Sequence, residues 1–232
     1  MGPSRAFLDD VGCLKNALLA LPRDWDGKAS ILELKAADYN WRQMEWWAFY
    51  FEHICHRFLA TEFQVPGERF GAVSFDAKRS VNWDLKSKAI KSDQHSAILN
   101  DQSAMEATIA RHGEHGVVMA LCDVEYNDVN RSFQRWHSAL KGGLSKYEKD
   151  RRARTQVSRY RKTRASLAEI LFLRFDAGSL PLLGTMKQGR NSNGKPRPPK
   201  YMVDLERVRP FLVDRLAFSA GLDSLPMVAE RP

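Results

Sequence analysis

The apolar run GVVMALCDVEY at residues 116–126 constrains this chain most: it reads as a buried strand, so the fold must supply a covered sheet around it. AEILFLRF at 168–175 reads as a second apolar strand. Before them, GAVSF (71–75) and the alternating VNWDLK (81–86) read as two strands joined by a turn at Lys78, Arg79 and Ser80. YMVDLERV (201–208) reads as the last strand. Helices are expected over 5–20, 28–40, 42–60, 96–111 and 131–140, the last ended by Gly142 and Gly143. This order predicts an α/β fold, a mixed central β-sheet flanked by helices, in one domain spanning 1–232. The step from 81 to 126 predicts a right-handed parallel crossover.

Composition narrows the class. With 44% hydrophobic residues and six tryptophans, the chain has a hydrophobic core within reach and is not globally disordered. No apolar run approaches the roughly 20 residues of a membrane span. The first residues, MGPSRAFLDD, turn acidic where a signal peptide turns apolar, so a cytoplasmic protein is expected. Cys13, Cys55 and Cys122 are far apart and lack CxxC spacing, which fits reduced thiols.

The net charge of +8 is concentrated. Residues 146–164 hold nine Lys/Arg against two acids, and 187–200 hold five against none, on a body that is otherwise mildly acidic. Focused positive charge suits a polyanion, nucleic acid first. In the first strip, Arg151, Arg152, Arg154, Arg159, Arg161, Lys162 and Arg164 are candidates for phosphate contacts, interleaved with Tyr147 and Tyr160. The second strip lies in a Gly/Asn/Pro-rich loop (184–200). Its Lys187, Arg190, Asn191, Asn193, Lys195 and Arg197 are of the types that reach base edges or narrow grooves.

Chemistry points to 75–88, FDAKRSVNWDLKSK. Alternation puts Val81, Trp83 and Leu85 on one face of a strand and Asn82, Asp84 and Lys86 on the other. A short turn would bring Asp76 near Asp84. Two carboxylates at a sheet edge suit Mg²⁺, and a lysine beside them suits the charge of a phosphate. FD followed by DLK on the next strand resembles the PD-(D/E)XK nucleases, the family of most type II restriction endonucleases, with Phe75 in place of the usual proline. The resemblance implies a restriction-endonuclease-like core. It also implies Mg²⁺ held by Asp76, Asp84 and the Leu85 carbonyl, and hydrolysis leaving a 5′-phosphate and a 3′-hydroxyl. It implies sequence-specific double-stranded DNA as substrate and a homodimer matched to a palindromic site.

Other assignments compete. Asp26 with Glu33-Leu34-Lys35 fits the same short pattern, but ILELKAADY is at least as helical as extended. The 42–60 helix is apolar almost all round, so a glutamate inside it needs a cation or a metal-site role. Glu52 is the first choice to join the site and Glu45 the second. Asp123 and Glu125 are further candidates. His53/His56 and His112/His115 have i, i+3 spacing but no third ligand for zinc. Rival functions are a repair nuclease or junction resolvase of the same fold, a non-catalytic nucleic-acid-binding protein, and a zinc-dependent factor.

Overall fold

The computed structural model describes residues 2–66, 75–90, 94–144, 149–150, 153–154, 161–190 and 194–218. The expected strand GAVSF lies outside the described residues except for Phe75. The elements run α1 (Arg5–Leu18), β1 (Asp24–Asp26), α2 (Gly27–Ala36), α3 (Trp46–Leu59), β2 (Ala77–Lys78) and β3 (Asn82–Ala89). They continue with β4 (Ser96–Asp101), α4 (Gln102–His112), β5 (His115–Glu125), α5 (Ser132–Leu140), β6 (Arg164–Phe175), β7 (Gly184–Met186), β8 (Lys200–Asp204) and β9 (Leu212–Ala217).

The class is mixed α/β, as the element order predicted. Six strands form one sheet in the order β1-β6-β5-β3-β2, with β9 also on β6. β3 and β5 run parallel, and the other pairs in this sheet are antiparallel. A second, three-stranded sheet has the order β4-β8-β7. β5 is buried on both faces: Val118, Ala120, Cys122 and Val124 pack with α1, α2 and α3, while Val117, Met119 and Leu121 pack with α4, β4 and β8. Its unbroken apolar run follows from that double cover. No helix among the described residues is long and apolar enough to cross a membrane.

Two expectations need correction. Residues 96–111 are not one helix: SAILND forms β4 and the helix begins at Gln102. The apolar Ala97 and Leu99 point into the core in strand alternation, and tertiary pairing with β8 overrides the helical look of the segment. The chain also does not end its strands at 201–208, because β9 follows and pairs with the far edge of β6.

One buried carboxylate fixes the β2–β3 hairpin to α1. Asp10 is fully buried and accepts from Ser80 N (3.0 Å), Val81 N (3.3 Å), Trp83 Nε1 (3.1 Å) and Arg79 (3.0 Å). The turn thus finds its hydrogen-bond partners on a helix far away in sequence. Trp83 packs on Phe7 at 4.7 Å between ring centroids and lies across Gly116, where a Cβ would sit 2.3 Å from the indole. Glycine at 116 is what lets Trp83 lie against the neighbouring strand.

Candidate functional site

β2 is only two residues long, and the way it stops creates the site. Ala77 and Lys78 pair with Trp83 and Asn82. Asp76 N then donates to Trp83 O at 3.0 Å, and Asp76 Oδ2 accepts from Leu85 N at 2.8 Å. A carboxylate therefore stands where a strand carbonyl would otherwise accept. Beyond Leu85 the outer edge of β3 has no strand partner among the described residues.

Val81, Trp83 and Leu85 are in the core and Asn82, Asp84 and Lys86 share the other face, as the alternation predicted. Lys86 Nζ is 3.3 Å from Asp76 Oδ2. Asp84 is 2% exposed, and its Oδ2 accepts from Asn100 Nδ2 of β4 (3.0 Å) and lies 3.1 Å from His115 Nε2 of β5. His115 Nδ1 is buried without a hydrogen-bond partner. From α3, Glu52 accepts a hydrogen bond from the buried Tyr39 hydroxyl, and His56 on the same helix bonds the Asp76 backbone. The four residues expected at the site, Glu52, Asp76, Asp84 and Lys86, come together.

Their charges are interdependent. Burial raises the Glu52 carboxyl to about 7, with Asp76 and then Asp84 adding to the rise against the hydrogen bond from Tyr39 and the charge of Lys86. Burial alone would also raise Asp84. The Lys86 ammonium and the hydrogen bonds from His115 and Asn100 outweigh it and hold Asp84 at about 2. Burial works against the Lys86 charge, yet Asp84, Asp76 and Glu52 surround it and keep its pKa well above the ordinary value. Lys86 is therefore an ammonium at neutral pH, and Glu52 is the group that titrates there.

That titration has a stability consequence. A carboxyl whose folded pKa is raised from 4.5 to about 7 binds a proton more tightly in the native state. Its contribution is present below the unfolded value and lost as pH rises through about 7. Relative to the parent, Glu52→Gln is expected to gain on the order of 3 kcal/mol between pH 4 and pH 8 in EDTA. Urea denaturation at the two pH values measures it, and parallel pH profiles would show that Glu52 does not titrate in this range.

Glu52, Leu85 and Lys86 line a cleft of about 680 Å³ together with Lys88, Tyr126, Lys162, Met186 and Met202, and Asp76 pairs with that Lys86. Lys162 comes from the first basic strip. Met186 and Met202 belong to β7 and β8, which carry the second strip as a hairpin closed by an Arg190↔Pro196 bridge and an Arg197 N bond to Gly189 O. Lys187, Arg190, Lys195 and Arg197 are exposed on that hairpin, as are Arg154 and Arg164 elsewhere. Arg161 is buried, so it does not lie on an open groove. Arg151, Arg152, Arg159, Asn191 and Asn193 lie outside the described residues.

The competing assignments separate. Asp26 caps α2 by accepting from Lys28 N and Ala29 N, and Glu33 of that helix binds Tyr50 and Arg57, so the 26/33/35 pattern is helical. Glu45 sits at the start of α3 and binds Lys162 and Trp47, away from the acids. Asp123 lies six residues past the level of Asp84 on β5, about 20 Å along the strand, and Glu125 lies further still. His112 ends α4 and His115 begins β5, with Gly113 at φ 79° between them, so this pair does not share a helix. Sequence reasoning missed Tyr39 and Asn100, and weighed His115 only as half of a zinc pair with His112, not as a partner of Asp84. For His115 the signal was its place at the head of a buried strand.

Among the described residues, no three His, Cys, Asp or Glu side chains stand close enough to hold a metal ion as they are placed. The donor chemistry still suits a hard divalent cation. Three carboxylates face one ammonium, and burial, with the charges of Asp76 and Asp84 added, keeps a proton on Glu52 up to about pH 7, a proton that added positive charge would displace. Comparison with family models, curated proteins and solved structures returned no match.

Proposed function

We propose that the protein is an Mg²⁺-dependent endonuclease that hydrolyses phosphodiester bonds of double-stranded DNA at a specific sequence, as type II restriction enzymes do. The observation that carries this reading is the convergence of Glu52, Asp76 and Asp84 on Lys86, which with Glu52 lines a cleft whose walls also bear Lys88 and Lys162. Asp76, Asp84 and the Leu85 carbonyl would hold Mg²⁺, which supplies a Lewis acid and an acidified water. Lys86 stays charged, so it neutralises the phosphate under attack rather than taking a proton. Glu52 is the group able to accept a proton near neutral pH. The basic hairpin joins β7 and β8, whose Met186 and Met202 line the same cleft, and its cations would contact the grooves flanking the cut. A two-fold dimer would present two such clefts to the two strands of a palindromic site.

Plasmid and phage DNA incubated with the parent and with Asp84→Asn test the reading. Discrete fragments are expected from the parent with Mg²⁺, and none in EDTA or from Asp84→Asn, which should still retain DNA in a filter assay. Preference for four-way junctions would move the assignment to a resolvase. No cleavage of duplex, junction or single strand with Mg²⁺ or Mn²⁺ overturns it. The way Asn100 and His115 already occupy Asp84 favours a second reading in that event, a non-catalytic nucleic-acid-binding protein in which the acids serve structure.

A further inference from the structure

The cleft also carries groups that hydrolysis does not use. Lys88 and Lys162 are close enough there that the Lys162 charge, after burial, lowers the Lys88 pKa. Lys88 makes no ion pair among the described residues and donates to the Ser96 carbonyl at 2.9 Å. Lys162 binds Glu45 and lies 5.4 Å from the Trp47 ring centroid and 5.7 Å from that of Tyr126. Tyr126 is 49% exposed beside them, and Phe49 lines the same wall half-buried. Two ammonium groups held together in a partly dehydrated cleft leave positive charge that an anion relieves. Exposed aromatic rings next to that charge offer a stacking surface.

Size decides what enters. A volume of about 680 Å³ suits a group the size of a nucleotide. Lys86 and Lys88 are two residues apart on β3, hence about 6.6 Å apart, a step comparable with that between neighbouring phosphates of one strand.

We propose that the part of the cleft lined by Lys88 and Lys162 takes one unpaired nucleotide of the nucleic acid, its phosphate on these two lysines and its base against Tyr126 and Phe49. The nuclease reading is needed only to name the adjacent phosphate, the one near Lys86, as the bond that is cut. Binding at the pocket does not depend on it.

Equilibrium binding in EDTA tests the proposal without hydrolysis, using a fluorescein-labelled oligo(dT) and a blunt duplex of equal length. Tyr126→Ala is expected to weaken oligo(dT) binding about 5- to 150-fold while Tyr126→Phe stays near the parent. Lys88→Gln is expected to lower the slope of log K against log salt by about 0.7, the loss of one single-strand phosphate contact. Blunt-duplex binding should change less in each variant. A duplex with a splayed end and one with a central unpaired nucleotide separate end capture from extrusion, since only the matching substrate gains affinity over the blunt form. Equal losses in Tyr126→Ala and Tyr126→Phe, or equal losses for oligo(dT) and blunt duplex, overturn the proposal. If these binding results hold while the parent cuts nothing, the nucleotide site stands and the nuclease reading falls.

Discussion

In Lys86→Ala, DNA cleavage is expected to fall by at least about 10²–10³-fold, the usual loss when a preorganised charge at the reacting phosphate is removed. The same change should weaken the fold in a pH-dependent way. Lys86 is the one cation that Asp76, Asp84 and Glu52 share among the described residues, and it holds Asp84 ionised despite burial. Without it three carboxylates face one another. Removing one partner of a buried pair costs about 3–5 kcal/mol, and because 27% of the Lys86 side chain is exposed, about 2–3 kcal/mol is expected here. Protons can replace the lost ammonium, so the deficit should be large at pH 8 and small at pH 5. Urea midpoints at the two pH values, read beside plasmid cleavage, check both arms. An unchanged cleavage rate sinks the assignment of Lys86, and a deficit that does not vary with pH sinks the electrostatic account of the site.

Asp10→Ala should give the largest loss of stability of any single change away from the cleft. It removes an acceptor shared by two backbone N–H groups, an indole N–H and a guanidinium, all on or beside the hairpin turn. Each buried donor left unpaired costs about 1–3 kcal/mol, so roughly 4 kcal/mol or more is expected even if water reaches some of them. Asp10→Asn keeps one accepting oxygen and should lose distinctly less. Because the same turn sets the spacing of Asp76 and Asp84, Asp10→Ala should also slow cleavage at temperatures where it is still folded. Denaturation midpoints that match the parent would show that the turn holds itself.

The strand face that carries Asp84 and Lys86 was legible because alternation is local: Val81, Trp83 and Leu85 had to be buried together, which left the polar residues on the other side. Glu52 was legible because a glutamate in the otherwise apolar α3 needs an electrostatic reason. Asn100 and His115 were not, since their meaning is a contact across 16 and 31 residues with Asp84. Asp10 carried no local signal, and only the distant hairpin makes it a buried hub. β4 was misread because SAILND is too short to show its period before the helical pattern of α4 takes over. β9 was overlooked because LVDRLA, half-covered at a sheet edge, lacks an apolar run.

The short β2 has one more consequence. A strand whose backbone donors and acceptors are open on one side is a template for another chain, and proteins commonly guard such rims with lysine. Along the side of β3 that has no strand partner among the described residues, every second residue past Asp84 is a lysine, Lys86 and then Lys88. Neutral replacements at both positions are therefore expected to lower solubility in concentrated solution as well as remove the charges that would meet a phosphate.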